Sequence, residues 1–271
     1  MEADIPESPE VRKITQSLAA DISGQVLISA KILSGRYVKK LPSDWQELEV
    51  RLPIKVIGAG VHGKFCYWLC SNETFIYSTL GMTGSWSTSE GKHARLVFEF
   101  QSGIKVYFND QRNFGTIKIV VGKQNLINKL KSFGPDLLAE DVSDQVFIEN
   151  IRTKPKWGIT KALMDQTVVA GVGNYIKSES LWLAKIDPHR KVASIGDGEL
   201  AVLNRSIKSI MRESYKTGGI TLRAYPGYVP EDGTSRRFLV YSQKFDPDGL
   251  KIVKDQTDDK RSTFWVPEVQ K

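Results

Sequence analysis

The spacing of hydrophobic positions changes from alternating to helical near residue 122. Before that point, six or more short runs of β-branched and aromatic residues are separated by Gly, Asn, Ser and Asp, which is typical of a β-sandwich or barrel. The runs are VLISAKILS, EVRLPIKVIGAGV, KFCYWLC, TFIYSTL, ARLVFEF and IKVYF. Ahead of them, residues 9–20 place Val11, Ile14 and Leu18 at helical spacing after Pro9, which predicts one N-terminal helix.

Helical spacing dominates the second half of the chain, beginning with KQNLINKLKSFGPDLL. Further helices are predicted at 144–151, 158–166, 174–184 and 197–216. Strand-like runs return from about residue 235 in RRFLVYSQ, LKIVKD and STFWVPEV. The pattern predicts an α+β protein with three domains, an N-terminal β-sandwich with its helix (1–124), a helical domain (125–234) and a small β appendage (235–271).

The composition is ordinary for a globular protein, with 41% hydrophobic and 25% charged residues, which excludes a disordered or collagen-like chain. No apolar run of about 18 residues occurs, so no membrane span is expected. The acidic, polar start MEADIPESPE predicts no signal peptide and therefore an intracellular protein. The net charge of +7 favours an anionic partner, with nucleic acid ahead of an acidic membrane.

The two cysteines, Cys66 and Cys70, lie in one strand-like run. Their even spacing places both on one face of a strand, too far apart to form a disulfide with each other. We interpret them as reduced, buried, structural thiols. A four-cysteine zinc site is impossible, and the scattered His62, His93 and His189 give no ligand spacing for a site of two cysteines and two histidines.

The most specific stretch is DQTVVAGVGNYIKSESLW, residues 165–182. One helix is expected to end near Val169, Gly171 and Gly173 allow a tight loop, and Asn174 then opens a helix that it can cap. Free amide groups at such a helix start suit a phosphate. A plain turn between two helices is the alternative that spacing alone leaves open.

This stretch closely resembles the helix–two-turn–helix motif of the formamidopyrimidine-DNA glycosylase and endonuclease VIII (Fpg/Nei) family. Further segments resemble that family's motifs in the same order from Pro6 to Gln270. They are PESPEV at 6–11 (family PELPEV), GKF at 63–65 (its β-domain lysine), LGMTGS at 80–85 (LGMSGS), DQRNFG at 110–115 (DPRRFG) and the lysine at 156. Any one motif is weak evidence, but the whole set in register is not expected by chance.

The resemblance implies a base-excision-repair DNA glycosylase with AP lyase (β,δ-elimination) activity that needs no cofactor or metal. It implies that the N-terminal amine of Pro6 attacks C1′ of the damaged nucleoside and forms an iminium. An α-amino group with a pKa of about 7.7–8.0 has a usable neutral fraction at neutral pH. Glu7 would protonate the sugar ring oxygen, and Lys64 would steady the phosphate. Glu10 is either a second catalytic carboxylate or a partner of the helix dipole.

The partner implied by the resemblance is double-stranded DNA with damaged bases or abasic sites, bound by a monomer between two domains. The affinity should fall steeply with salt. Eversion of the damaged base costs a few kcal/mol, and Met82, Arg112 and Phe114 would fill the gap that it leaves. The groups implied to hold the phosphates are the loop amides, Lys156, Asn174 and Arg261.

One departure from the family lies near the C-terminus. Many members carry four zinc-binding cysteines at positions that here hold Phe245, Asp248, Val266 and Val269. We therefore expect a zincless β-hairpin finger in which Arg261 still grips a phosphate. The side chains expected to hold the hairpin by packing are Phe245, Val266, Val269 and Trp265. A degenerate tail with no role in DNA binding is the alternative.

A second departure is the short segment ITLRAYPGYVPEDGTSR between Gly219 and Arg236. A longer loop at this place caps 8-oxoguanine in the family's Fpg members. The short segment puts a strong preference for 8-oxoguanine in doubt. It favours oxidised pyrimidines, ring-opened purines and hydantoins as substrates.

A third departure is the position of Pro6, which follows five other residues. A proline inside a peptide bond has no nucleophilic amine. Our hypothesis is that translation starts at the Ile5 codon and that the initiator methionine is then removed; proteolytic trimming is a second route. The rival function is a catalytically inactive damaged-DNA-binding protein with the same clamp. A weaker rival, an RNA- or ribosome-binding protein, is disfavoured by the β-domain motifs.

Overall fold

The computed structural model describes residues 6–217 and 238–271, which form two compact units. Unit 1 comprises Pro6 and Glu10–Lys131, and unit 2 comprises Glu7–Pro9, 132–217 and 238–271. Two segments that carry expectations lie outside the described residues. They are the five residues before Pro6, which bear on the start of the chain, and the segment between Gly219 and Arg236, which bears on lesion preference.

Unit 1 is built mainly from antiparallel strands. In chain order the N-terminal half contains α1 (Ser8–Ile22), β1 (Val26–Ile32), a 3-10 turn (Gly35–Val38), α2 (Trp45–Glu49), β2 (Ile54–His62), β3 (Phe65–Cys70), β4 (Thr74–Thr79), β5 (Gly84–Ser87), β6 (Ala94–Phe100), β7 (Lys105–Asp110), β8 (Thr116–Val121) and α3 (Lys123–Lys131). The predicted strand that began at Glu49 was wrong at its start. Glu49 belongs to α2, and β2 begins only after Pro53, which has no N–H to donate to a sheet.

The strands follow the order β5-β7-β6-β1-β2-β3-β4-β8. The link between β1 and β2 consists of only two paired positions, so the sheet divides there into two four-stranded halves. Trp68 on β3 in one half lies 5.0 Å, between ring centroids, from both Trp86 and Phe98 in the other half. This shared aromatic core confirms the predicted β-sandwich.

The two thiols lie on the inward face of β3, on either side of Trp68. Cys66 and Cys70 are both buried and free, as predicted. Burial raises the pKa of each thiol to about 12. Since the unfolded value is about 8.5, the thiols stabilise the fold fully below that pH, and this contribution is lost as the pH rises towards 12.

We expect iodoacetamide to leave both thiols unmodified in the native protein at pH 8, because only the accessible thiolate reacts. In denaturant at the same pH, both should be alkylated. Intact mass before and after unfolding measures the difference. Stoichiometric alkylation of the native protein would contradict the described packing of β3.

Unit 2 is mainly helical. Its elements are α4 (Asp144–Arg152), α5 (Ile159–Met164), α6 (Asn174–Leu183), a 3-10 turn (Val192–Ser194), α7 (Asp197–Lys216), β9 (Val253–Gln256) and β10 (Ser262–Trp265). The four predicted helices are confirmed, and β9 and β10 pair as an antiparallel hairpin. Phe264 and Val266 join the aliphatic side chains of the helices in one core. Within the described ranges, no helix is long and apolar enough to cross a membrane.

The helix predicted to end near Val169 ends at Met164 instead. Asp165 is extended, and its Oδ1 accepts hydrogen bonds from the backbone N and the hydroxyl of Thr167, at 2.8 and 2.7 Å. Such a side-chain turn competes with continued helix. The residues between Met164 and α6 are therefore loop.

The run RRFLVYSQ was predicted to be a strand, but its described part, 238–243, is not one. The buried carboxylate of Glu179 on α6 accepts backbone hydrogen bonds from Leu239, Val240 and Tyr241 at 2.8–3.1 Å. Three successive amides directed at one carboxylate cannot also form a strand ladder. Glu179 thereby fixes the chain where the described residues resume.

Candidate active site and DNA-binding surfaces

In unit 2, the carboxylate of Glu7 is fixed at the N-terminus of α6. Oε1 accepts a hydrogen bond from the backbone N of Tyr175 at 2.9 Å, and Oε2 accepts one from Ile176 at 3.2 Å. Glu7 is 1% exposed, and the N of Ser8 donates to the carbonyl of Gly171 at 3.2 Å. The amides expected to bind an external phosphate therefore hold the carboxylate of this chain.

Gly173 allows this approach. A Cβ at this position would lie 2.1 Å from Cδ of Glu7. The φ of Gly173 is −127°, which other residues adopt readily, so the requirement for glycine is space rather than backbone conformation. The absence of a side chain at Gly173 therefore leaves the space in which the Glu7 carboxylate reaches the first turn of α6.

Asn174 does not cap α6, so that expectation was wrong. The N-cap position is Gly173, and Asn174 is the first helical residue. Its Nδ2 donates to the carbonyl of Ser262 at 3.0 Å. The amide of Asn174 therefore joins α6 to the start of β10.

The turn between β9 and β10 is joined to the helices by two acidic side chains. Oδ2 of Asp258 accepts a hydrogen bond from the backbone N of Gly158 at 2.7 Å, just before α5. Oδ2 of Asp259 lies 2.6 Å from Nζ of Lys177 on α6. Arg261 is exposed and follows this turn, directly before β10.

Lys177 is a lysine inside the protein. Its side chain is fully buried, and burial lowers the pKa of its ammonium, while the negative charges of Asp259 and Glu7 oppose that shift. A buried charge is retained only with a close partner, which Asp259 supplies.

Lys156 is exposed in the segment before α5, next to a ring that attracts cations. The ammonium groups of Lys154 and Lys161 lie 4.9 and 4.4 Å from the ring centroid of Trp157. Two lysines therefore contact the tryptophan ring, and Lys156 is its exposed neighbour in the chain. This arrangement suits phosphate groups.

In unit 1, the segments 80–85 and 110–115 are joined by Asp110. Its Oδ1 accepts hydrogen bonds from the hydroxyl of Thr83 at 2.5 Å and from the N of Arg112 at 3.2 Å, and its Oδ2 accepts one from the N of Gly115 at 2.7 Å. A Cβ at Gly81, where φ is +61°, would lie 2.7 Å from the N of Gly115. The two segments therefore form one rigid double loop.

This double loop carries the three side chains expected to replace the everted base. Phe114 is 53% exposed, and the Arg112 guanidinium lies 5.3 Å from its ring centroid. Met82 is half-buried on the neighbouring segment. An exposed aromatic ring, a cation and a thioether thus project from adjacent loops.

The remaining candidates in unit 1 are Lys64, Pro6 and Glu10. Lys64 is half-buried in the turn between β2 and β3. Pro6 is buried two residues before α1, and Glu10 is 3% exposed in the first turn of that helix. The roles of all three remain predictions.

The hairpin does not pack as expected at Phe245, which is 60% exposed. Val266 is fully buried, and Val269 is partly buried against the same core. Trp265 is half-buried, and its Nε1 donates to Asp255 at 2.9 Å. The described residues contain no group of three His, Cys, Asp or Glu that could hold a metal, and the side chains at the four family cysteine positions do not fit zinc.

Two residues with clear structural roles, Lys177 and Glu179, did not stand out in the sequence. Both lie in a helix whose first eight residues are all buried. Charged residues that alternate with serines, as in the run KSES at 177–180, normally indicate a solvated helix face. The one signal in the sequence is the loop before α6, where Gly171 and Gly173 indicate that another part of the chain can approach the helix closely.

Three family models match the chain. The formamidopyrimidine-DNA glycosylase N-terminal domain matches residues 5–117, the formamidopyrimidine-DNA glycosylase H2TH domain matches 133–225, and the C-terminal domain matches 231–271. The matched ranges include the double loop of unit 1, the loop before α6 that contains Gly171 and Gly173, and the hairpin.

Curated relatives cover nearly the whole chain. The formamidopyrimidine-DNA glycosylase of Streptococcus pneumoniae serotype 4 is 30% identical over 92% of this chain and 91% of its own length. That of Chloroflexus aurantiacus is 28% identical over 98% of both chains.

Solved structures similar to this chain contain DNA. A Lactococcus lactis Fpg mutant, G226P, in complex with a Fapy-dG-containing DNA has a TM-score of 0.84 and 28% identity, covering 98% of this chain and all of that one. The L. lactis Fpg complex with an abasic-site-containing DNA has a TM-score of 0.83 at the same identity and coverage.

Proposed function

Because this chain belongs to the formamidopyrimidine-DNA glycosylase family, and is a bifunctional DNA glycosylase and abasic-site lyase of base excision repair, we propose that Pro6 is its nucleophile. We further propose that it removes oxidised pyrimidines, ring-opened purines and hydantoins. Its partner is double-stranded DNA that contains such a base or an abasic site, bound by one copy of the chain.

The chemistry begins with the amine of Pro6, which must first become N-terminal. Its lone pair forms the N–C1′ bond, and the electrons of the C1′–base bond leave with the base, which takes up a proton. Glu7 donates a proton to the sugar ring oxygen as the ring opens, which gives an iminium at C1′. Loss of a proton from C2′ then expels the 3′ phosphate, and δ-elimination expels the 5′ phosphate.

The single observation that carries this proposal is the fixed position of Glu7, next to Pro6 in the chain. Its two oxygens are held by the α6 amides at 2.9 and 3.2 Å, and the side chain is excluded from water. A carboxylate that cannot rotate freely acts on one atom of a bound substrate, and such placement supplies a large part of a catalysed rate.

The DNA-binding roles rest on charge and exposure. Lys156, Asn174 and Arg261 belong to elements joined by Asp258, Lys177–Asp259 and Ser262, which supports a common role in holding phosphates. On the double loop, exposed Phe114 and its Arg112 neighbour suit stacking on, and pairing with, the base left opposite an everted nucleotide. Met82 would fill the space in the stack. Lys64 would neutralise the phosphate beside the lesion.

One observation supports ring-opened purines as substrates, and a separate one supports the preference over 8-oxoguanine. The L. lactis neighbour is bound to DNA that carries a ring-opened purine, Fapy-dG. The segment between Gly219 and Arg236 is short for a cap over 8-oxoguanine. We expect faster excision of an oxidised pyrimidine and a ring-opened purine than of 8-oxoguanine in matched duplexes, measured in single turnover.

The nucleophile is tested by borohydride trapping on a duplex with one abasic site, with protein that begins at Pro6 compared with protein that begins at Met1. We expect a covalent adduct, mapped by peptide mass to Pro6, only in the first. Tight binding without an adduct in both would replace this proposal with the inactive DNA-binding protein. An adduct at another residue would assign the nucleophile elsewhere.

A further inference from the structure

We propose that Asp259 is a positioning residue whose Oδ1 holds Arg261 in place through its backbone N, and that Lys177 compensates the charge of this buried carboxylate. The inference rests on the proposed contact between Arg261 and DNA phosphate. It concerns two residues that the catalytic chemistry does not use.

The pair joins a helix to the hairpin turn. Nζ of Lys177, in the first turn of α6, lies 2.6 Å from Oδ2 of Asp259, and the two side chains are 0% and 4% exposed. Because both charges are withdrawn from water, salt screens this contact far less than it screens an exposed ion pair. It is a fixed point between α6 and the turn.

The second oxygen of Asp259 organises the turn itself. Oδ1 accepts hydrogen bonds from the hydroxyl of Thr257 at 2.7 Å and from the backbone N of Arg261 at 3.2 Å. The Thr257 hydroxyl also lies 2.7 Å from that of Thr263 on β10. One carboxylate therefore connects α6, the end of β9 and the residue that bears the exposed guanidinium.

A purely stabilising role is a poor explanation for this pair. Replacing a buried ion pair with apolar residues of similar size is often neutral or stabilising, because both charges lose their hydration. The hairpin already has apolar anchors in Phe264 and Val266. What apolar side chains cannot supply is a directed acceptor for the backbone N of Arg261.

Two double variants separate these roles. K177M/D259N and K177M/D259L both remove the two charges together, so neither leaves an unpaired buried ion. Asparagine keeps an Oδ1 that accepts from Thr257 and Arg261, whereas leucine has no acceptor. R261A is the reference for loss of the phosphate contact.

The measurement is the Kd for an abasic-site duplex across a series of salt concentrations. We expect K177M/D259N to bind within about threefold of wild type, and K177M/D259L to bind about tenfold more weakly, as expected for one charge-assisted contact. The slope of log Kd against log salt should fall by about one in K177M/D259L and in R261A. Adding R261A should weaken K177M/D259N further and leave K177M/D259L nearly unchanged.

Several results would overturn the inference. Wild-type affinity in folded K177M/D259L would show that the pair has only a structural role. The same conclusion would follow if adding R261A to K177M/D259L weakened binding as much as R261A weakens it in the wild-type protein. Binding by K177M/D259N as weak as that of R261A would show that the acceptor is not what matters. If thermal unfolding shows that the leucine variant does not fold, K177M/D259A gives the same comparison. An R261A protein with wild-type affinity and salt slope would instead refute the proposed phosphate contact.

Discussion

Replacing Glu7 with glutamine is expected to lower strand cleavage at an abasic site by about 10²–10⁴-fold, the usual contribution of a general acid. Glutamine has nearly the same shape but cannot give the ring oxygen a proton. Single-turnover cleavage at saturating protein measures the effect. We expect the Kd for the uncleaved duplex to change far less than the rate.

The structure requires a stability control for this variant. Glutamine has one acceptor oxygen where Glu7 uses two, so one of the α6 amides at Tyr175 or Ile176 loses its partner. The free energy of unfolding should fall by about 1–3 kcal/mol, and cleavage must be measured well below the unfolding temperature.

Glu10→Gln is the matched control, because Glu10 is a second buried carboxylate, in the first turn of α1. If Glu10 only interacts with the helix dipole, its variant should cleave nearly as well as wild type. Equal losses in the two variants would make Glu10 a second catalytic carboxylate. Unchanged cleavage by Glu7→Gln would remove Glu7 from the chemistry.

Replacing Gly173 with alanine is expected to reduce cleavage nearly as much as the change at Glu7. The new methyl group would lie 2.1 Å from Cδ and 2.3 Å from Oε1 of Glu7, so the carboxylate must leave the α6 amides. Because the backbone of Gly173 suits alanine, the effect arises from this displacement alone. Cleavage and thermal unfolding should both be measured, since the two amides are left without their acceptor.

The control for this second variant is Gly198→Ala, in the first turn of α7, where an added Cβ meets nothing within 4 Å. Alanine favours helix over glycine by about 1 kcal/mol, so this protein should be slightly more stable and fully active. Wild-type cleavage by Gly173→Ala would mean that the carboxylate need not occupy the α6 amides during the reaction.

Most of the fold follows from local periodicity, and the exceptions have identifiable physical causes. The alternating run from Phe65 to Cys70 and the apolar stripe of α7 each reflect a single buried face, so their elements could be predicted. The run RRFLVYSQ has strong β propensity, yet Glu179 binds its amides from a helix about 60 residues earlier. Burial by distant partners overrides propensity, and no local pattern reveals it.

In the candidate site too, some features could be predicted from the sequence, whereas contacts between distant residues could not. Resemblance to a family placed Met82, Arg112 and Phe114 together, and the structure brings their loops into contact through Asp110. The resemblance could not indicate that the Glu7 carboxylate accepts hydrogen bonds from the amides of α6, because that contact joins residues 168 positions apart in the sequence. Asn174 therefore looked like a helix cap from the sequence, although Gly173 is at the N-cap position and Glu7 accepts hydrogen bonds from the first-turn amides of α6.

The buried thiols of β3 make the chain suitable for site-specific labelling without prior mutation. The sequence has only two cysteines, and both are enclosed in the sandwich core. A cysteine introduced at an exposed position would thus be the only accessible thiol. Phe245, exposed on the hairpin and outside the proposed chemistry, offers a place for a fluorophore whose emission would report contact between this appendage and DNA.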